Sequence, residues 1–380
     1  MERAARMRED RHMPVARRPH AAATTDATAG ATTGATAGAR RVTAPGAPFA
    51  AALAALAAVL TALLLTACSP DDPAPPDDAA SVAPSTAAPS TPAPSSAPAP
   101  TPAPPAAPPP AIAPGTEGAV EVGERPVRLA VPSSYDPADP APLVLLLHGF
   151  GSTADEVDAV LGLRAEAERR GLLYVLAEGT PDDDGRRFWD ATEACCNFFG
   201  PQVDDAGYLA DVLRTVAAGY AVDPDGVVVA GHSNGGFMAY RMACEHADLV
   251  SAVVSLAGAM PATADACAPS RPVSVLQVHG TADSTIRYDG GSNGPFPYPS
   301  AQDSVGAWAR LDGCDAEPAT EAGALDVEAS LPGAETSVTT YGGCRDGARV
   351  ALWSVEGAEH VPDLAPGFAG AVLDAALGAG

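Results

Sequence analysis

Basic residues are scarce in this chain. There are 22 Lys and Arg against 47 Asp and Glu, a formal net charge of -25 over 380 residues. A polyanion has no electrostatic reason to track phosphates, which argues against nucleic acid as a partner and against adhesion to anionic lipid. No Cys-x-x-Cys with a partner histidine occurs, so no structural zinc is indicated. Core-forming residues are also missing from most of the N-terminal third. Residues 1–48 are rich in Ala, Thr and Arg without hydrophobic periodicity, and residues 69–115 are almost entirely Pro, Ala, Ser, Thr and Asp. Such stretches bury too little apolar surface to offset chain entropy, and both are expected to be disordered.

Between them lies an apolar run, 49–65, preceded by Arg40-Arg41 and followed by Leu65-Thr66-Ala67-Cys68. Basic, then apolar, then small residues is the order of a secretory signal. At roughly 17 residues the run sits at the bottom of the range for a bilayer-spanning helix. The cysteine directly at its end favours a lipobox over a plain transmembrane anchor. The expectation is that residues 49–68 are a signal with lipobox and that Cys68 is lipidated. The protein would then be extracellular, on the cell surface, held to the membrane by that lipid anchor only. Residues 69–115 would serve as a tether. Pro-rich chain extends ~3.1 Å per residue, so it could reach on the order of 100 Å, or it could be a passive spacer.

Seven cysteines are present, and six remain if Cys68 is lipidated. An even number in an oxidising compartment points to disulfides, with the connectivity open. Cys314 and Cys344 bracket one excursion before the last strand and are the first pairing expected. Cys244 with Cys267 is the second, which leaves the neighbours Cys195 and Cys196 to each other. A crossed pattern, with Cys195 or Cys196 reaching Cys244, is the alternative.

Residues 116–380 read as one catalytic domain of ordinary α/β size. Short aliphatic runs fall at 143–147, 172–177, 227–230, 252–256, 273–278 and 350–355, with an edge pair of strands in 119–131. Continuous runs of this kind suit strands buried on both faces of a parallel sheet. Helix candidates lie between them at 154–170, 205–221, 235–246, 301–311 and 367–377. The alternation predicts a doubly wound α/β fold with ligands at the carboxyl ends of the strands.

Gly231-His232-Ser233-Asn234-Gly235 matches Gly-x-Ser-x-Gly, with an aliphatic strand before it and a helix after it. A serine on so tight a turn needs small flanks, and the helix N-terminus adds positive potential beside a developing oxyanion. Ser233 is therefore the candidate nucleophile. The second oxyanion loop follows the run 143–147 as His148-Gly149-Phe150-Gly151, so the backbone N–H groups of Phe150 and Asn234 are the expected donors. His148 reads as a brace for that loop.

In this architecture the partners follow in the order serine, acid, histidine. Of seven histidines, His12, His20, His148 and His232 precede Ser233. His246 lies on the next helix and His279 leaves no room for an acid before it. His360, after the last strand, is left as the general base. Asp283, at the end of the strand 273–278, is the candidate acid, with Asp289 the runner-up.

At this point the chain resembles the secreted polyhydroxybutyrate depolymerases and feruloyl/acetylxylan esterases of the α/β-hydrolase superfamily. The resemblance covers residues 118–362. It rests on the elbow and on His148-Gly-Phe-Gly151, Glu178-Gly-Thr180, Phe188-Trp189, Cys195-Cys196 and Val203-Asp-Asp205. It also rests on His279-Gly-Thr-Ala-Asp283, Tyr298-Pro-Ser300 and Gly357-Ala-Glu-His360. It implies carboxylic-ester hydrolysis on the same triad, without metal or cofactor; a small or polymeric ester is the expected substrate, and a monomer the expected state. Gly-Ala-Glu-His-Val-Pro departs from the family pattern in lacking a tryptophan after the histidine. A non-catalytic surface-binding lipoprotein and a serine peptidase on the same fold are the competing readings. Trp189 is offered as a substrate-binding wall of the cleft, against a small core formed with Phe198, Phe199 and the cysteines. Asp204 and Asp205 are expected to cap the following helix. Phe296-Pro-Tyr-Pro-Ser300 is offered as part of a lid-like rim.

Overall fold

The computed structural model describes residues 112–378 apart from 199, 264 and 265. The segments expected to be a leader, a signal with Cys68 and most of a tether, and also Phe199, lie outside the described residues. The described residues fall in one compact unit, 97–380. None of their helices is long and apolar enough to cross a membrane.

A hairpin of β1 (Thr116–Val120) and β2 (Val127–Val131) leads into β3 (Ala141–Leu147). Helices α1 (Ala154–Leu161) and α2 (Leu163–Arg170) precede β4 (Leu173–Leu176). Two short strands, β5 (Thr180–Pro181) and β6 (Arg187–Phe188), pair with each other. Next come α3 (Asp205–Gly219), β7 (Val222–His232), α4 (Asn234–Glu245) and β8 (Ala252–Leu256). β9 (Ser274–Gly280) is followed by the small hairpin β10 (Gly291–Asn293) and β11 (Phe296–Tyr298), then by α5 (Ala301–Leu311). β12 (Ala319–Leu325), β13 (Thr336–Tyr341), β14 (Val350–Val355) and α6 (Phe368–Leu377) complete the order.

Ten strands form one sheet in the order β1-β2-β4-β3-β7-β8-β9-β14-β13-β12. The middle, from β4 to β14, is parallel throughout, and both edges are antiparallel. This is the α/β-hydrolase arrangement. Side chains alternate across the pleat, so Leu143, Leu145 and Leu147 enter one core and Val144 and Leu146 the other. Helices α3, α4 and α5 cover the first core, and α1, α2 and α6 the second. Both faces are dry, which is why the central strands read as unbroken aliphatic runs.

Three readings need correction. The helix expected over 154–170 is two, because Gly162 adopts φ 64° and ends α1 as an αL cap. β12 and β13 were not foreseen. β12 is exposed along most of its length and carries no apolar alternation to mark it. Asp204 does cap α3, accepting from the Gly207 N–H at 2.8 Å. Asp205 does not cap; it is buried, pairs with Arg125 Nη1 at 2.7 Å and accepts from the Asp190 N–H.

The disulfides join Cys195 to Cys196, Cys244 to Cys267 and Cys314 to Cys344. The crossed pattern is not formed.

Candidate active site

Ser233 stands between the last residue of β7 and the first of α4, at φ 53° and ψ -117°. A positive φ on a residue with a Cβ is strained, and such strain persists only where the surroundings over-determine it. They do so here by crowding. A Cβ added to Gly231 would lie 2.3 Å from the Gly235 carbonyl carbon, and one on Gly235 would lie 2.2 Å from the Leu147 oxygen. The Ser233 N–H donates to the Leu256 carbonyl at 2.8 Å, tying the turn to β8.

The structure brings Ser233, His360 and Asp283 together. His360 Nε2 is 2.9 Å from Ser233 Oγ, and His360 Nδ1 is 2.7 Å from Asp283 Oδ2. A carboxylate only accepts, so Nδ1 carries the proton and Nε2 is left to accept from the serine hydroxyl. Asp283 follows β9, and His360 follows β14. The Asp283 side chain is fully buried, and its Oδ1 accepts from the Thr285 and Ile286 N–H groups at 2.8 and 2.9 Å. Burial alone would raise its pKa. Hydrogen bonds from His279, His360 and the loop amides outweigh it and hold the carboxyl well below the usual range. Asp289, the runner-up, is exposed and makes no hydrogen bond to His360.

Among the described residues, no backbone carbonyl accepts from the N–H groups of Phe150 and Asn234. They flank Ser233 because Gly149 lets the loop approach. A Cβ there would sit 3.4 Å from Ser233 Cβ. The loop is braced from behind by His148, which is buried. Its Nδ1 donates to the Gly149 carbonyl at 2.7 Å and its Nε2 accepts from the Gly179 N–H at 2.9 Å.

Trp189 is not a wall of the cleft. Its ring is fully buried beside His148, and Nε1 donates to the His148 carbonyl at 3.0 Å. The Asn234 side chain clasps the Trp189 backbone, its Oδ1 accepting at 2.7 Å and its Nδ2 donating at 2.9 Å. The indole therefore supports the oxyanion loop and the elbow together. Asn234 was expected to act through its backbone alone. The sequence offered no signal for this clasp, because it depends on the β5–β6 excursion folding back over α4.

Above Ser233 opens a cavity of about 450 Å³, lined by Phe150, Cys196, Phe198, Ile286, Phe296 and Asn293 among others. Its walls are mainly apolar, and among the described residues no charged side chain borders it. The rim foreseen around Phe296 is the β10–β11 hairpin. A larger cavity of about 530 Å³ lies by α1, α2 and β2 and borders none of the three residues above. Among the described residues no group of three His, Cys, Asp or Glu is placed to hold a metal ion.

Residues 122–320, just over half of the chain, match a family model described as "Putative esterase". The chain belongs to that esterase family. The matched span contains Ser233 and Asp283 and ends before His360. Among curated relatives, "Putative esterase NocK" of Nocardia uniformis subsp. tsuyamanensis is 31% identical over 230 residues, covering 58% of this chain and 64% of its own. Feruloyl esterase B of Piromyces equi is 24% identical over 244 residues, covering 62% of this chain and 42% of its own. The esterase chain thus spans less than two thirds of either relative. An acetyl xylan esterase from Aspergillus awamori superposes with a TM-score of 0.48 at 18% identity, over 65% of this chain and 95% of that one.

Proposed function

We propose that this protein is an extracellular serine carboxylesterase that works through an acyl-enzyme on Ser233. The observation that carries the proposal is the unbroken chain from Ser233 Oγ through His360 to Asp283 Oδ2, at 2.9 and 2.7 Å. His360 Nε2 takes the hydroxyl proton as Oγ attacks the ester carbonyl carbon. Asp283 holds the reactive tautomer and stabilises the imidazolium without taking the proton. The Phe150 and Asn234 N–H groups receive the oxyanion. The alcohol leaves with the proton from His360, and water repeats the sequence to release the acid.

The cleft favours an apolar acyl group: Phe150, Phe198 and Phe296 line it, and among the described residues no cation borders it to hold a free carboxylate. Polyhydroxybutyrate-like and feruloyl-like esters both meet that description, and the name of the Piromyces relative favours the second. Three disulfides suit an oxidising compartment, which supports a place outside the cell. A lipid anchor at Cys68 belongs to the same proposal.

Intact-mass spectrometry after treatment with a fluorophosphonate tests the reading. One adduct on Ser233, abolished in Ser233→Ala, is expected. Folded wild-type protein that takes no adduct and hydrolyses no p-nitrophenyl ester would sink it. Methyl ferulate and hydroxybutyrate oligomers, assayed side by side, separate the two substrate classes.

A further inference from the structure

Apart from its contact with Ser233, His360 is held at two points, and only one of them is the acid. Asp283 grips the ring at Nδ1. The backbone is gripped from the other side. The carbonyl of His360 accepts from His232 Nε2 at 2.9 Å, and among the described residues no other hydrogen bond reaches the His360 main chain. Its flanking residues, Glu359 and Val361, are both exposed, Val361 at 57%. The base therefore sits on a three-residue stretch, 359–361, between Ala358, which is buried and whose carbonyl accepts from the Ala282 N–H at 3.0 Å, and the buried Pro362.

His232 is the residue immediately before Ser233, so it moves with the nucleophile. Its ring lies 4.9 Å from that of His360, centroid to centroid. Its other nitrogen, Nδ1, faces the oxyanion loop, where a Cβ on Gly149 would come within 3.3 Å of it. One imidazole thus touches the elbow by a covalent bond, the base by a hydrogen bond and the oxyanion loop by packing. We infer that His232 is a positioning residue, which holds the backbone of His360 in register with Ser233 so that Nε2 stays on the line to Oγ.

The chemistry of the ring suits that task. A carbonyl oxygen only accepts, so Nε2 carries the proton and the ring is the Nε2–H tautomer. Burial pushes its pKa down to about 4, despite the bond to the His360 carbonyl, and repulsion from the His360 ring adds to the fall. A neutral neighbour does not oppose the positive charge that His360 acquires during attack. A lysine or arginine here could donate to the same carbonyl but would raise the energy of the imidazolium. The hydroxyl and the imidazole must meet within a few tenths of an ångström, and a misplacement of ~1 Å can cost about a hundredfold in rate.

The inference rests on the esterase reading and is tested on the wild-type chain with three variants. His232→Leu removes the donor at similar bulk. His232→Asn keeps an amide but is too short to reach. His232→Gln carries its amide nitrogen as many bonds beyond Cβ as Nε2. On p-nitrophenyl butyrate the Leu and Asn variants should lose about 10- to 100-fold in kcat with KM within about twofold. The Gln variant should recover most of that loss, and fluorophosphonate labelling of Ser233 should slow and recover in parallel. A merely structural role would not produce the recovery. Circular dichroism and thermal midpoints establish folding, and if the Leu variant does not fold the Asn and Gln pair carries the comparison. Folded Leu and Asn variants with wild-type kcat would overturn the inference, as would a Gln variant as impaired as the Asn one. A wild-type chain that is inert and unlabelled would instead remove the esterase reading beneath it.

Discussion

Asp283 is the residue on which most of the site's polar contacts converge. Two loop amides and His360 donate to it, and His279 Nε2 lies 3.4 Å from it while donating to the Ile286 carbonyl at 2.7 Å. Gln277 fixes that second imidazole by donating to its Nδ1 at 3.0 Å. Asp283→Asn would keep the shape and lose the charge, and the amide would favour the His360 tautomer whose Nε2–H faces Ser233. A fall in kcat of about 10⁴-fold with little change in KM is expected. A loss under tenfold would assign the acid elsewhere. Away from the site, Asp312 is fully buried, and it accepts from Trp308 Nε1 at 3.1 Å and the Val273 N–H at 3.4 Å. Burial pushes its pKa up to about 7. The folded state then holds this proton more tightly than the unfolded chain, whose aspartates titrate at ~3.9. The stability it contributes is complete below that value and is lost as pH rises through about 7. Thermal midpoints of Asp312→Asn, measured from pH 4 to 8, should fall less with rising pH than those of wild type. Parallel curves for the two proteins would refute the assignment.

Among the elements, the β10–β11 hairpin has the clearest bearing on specificity. Asn293 Nδ2 donates to the Ala194 carbonyl at 2.7 Å, joining the hairpin to the loop that carries Cys195 and Cys196. Asn293, Cys196 and Phe296 all border the cleft above Ser233, so this bond sets the spacing of two of its walls. Asn293→Ala should relax the discrimination between acyl groups. The ratio of kcat/KM for p-nitrophenyl octanoate over acetate should change by about tenfold, the scale on which apolar pockets discriminate. An unchanged ratio would show that the walls are held by other contacts. The sequence offered this segment only as a rim around Phe296, not as a hairpin. Its strands have three residues each, and Pro297 and two glycines obscure any alternation.

At the scale of the whole molecule, the central sheet and the three side chains that the structure brings together at Ser233 were legible because each left a local mark. Dry parallel strands must be aliphatic throughout, and a strained serine must have glycine on either side. Chain order then eliminated every histidine but His360. What was not legible depends on contacts between distant segments. Trp189 was offered as a cleft wall against a place in a small core, and only the folded chain puts it beneath His148. His232 looked like the variable residue of a motif, since its partner is a backbone carbonyl 128 residues away. Asp205 looked like a cap because its partner, the half-buried guanidinium of Arg125, lies 80 residues before it.

The placement of the triad on three strand ends has a consequence for timing. Ser233 follows β7, Asp283 follows β9, and His360 arrives only after β14 has paired with β9. A chain made as far as β10 carries nucleophile and acid but no base. An unfolded chain carries all three with nothing to align them. On the proposed route out of the cell, a polypeptide threaded through a translocon in that state would be silent toward every ester it passed. Activity would begin only where the sheet closes.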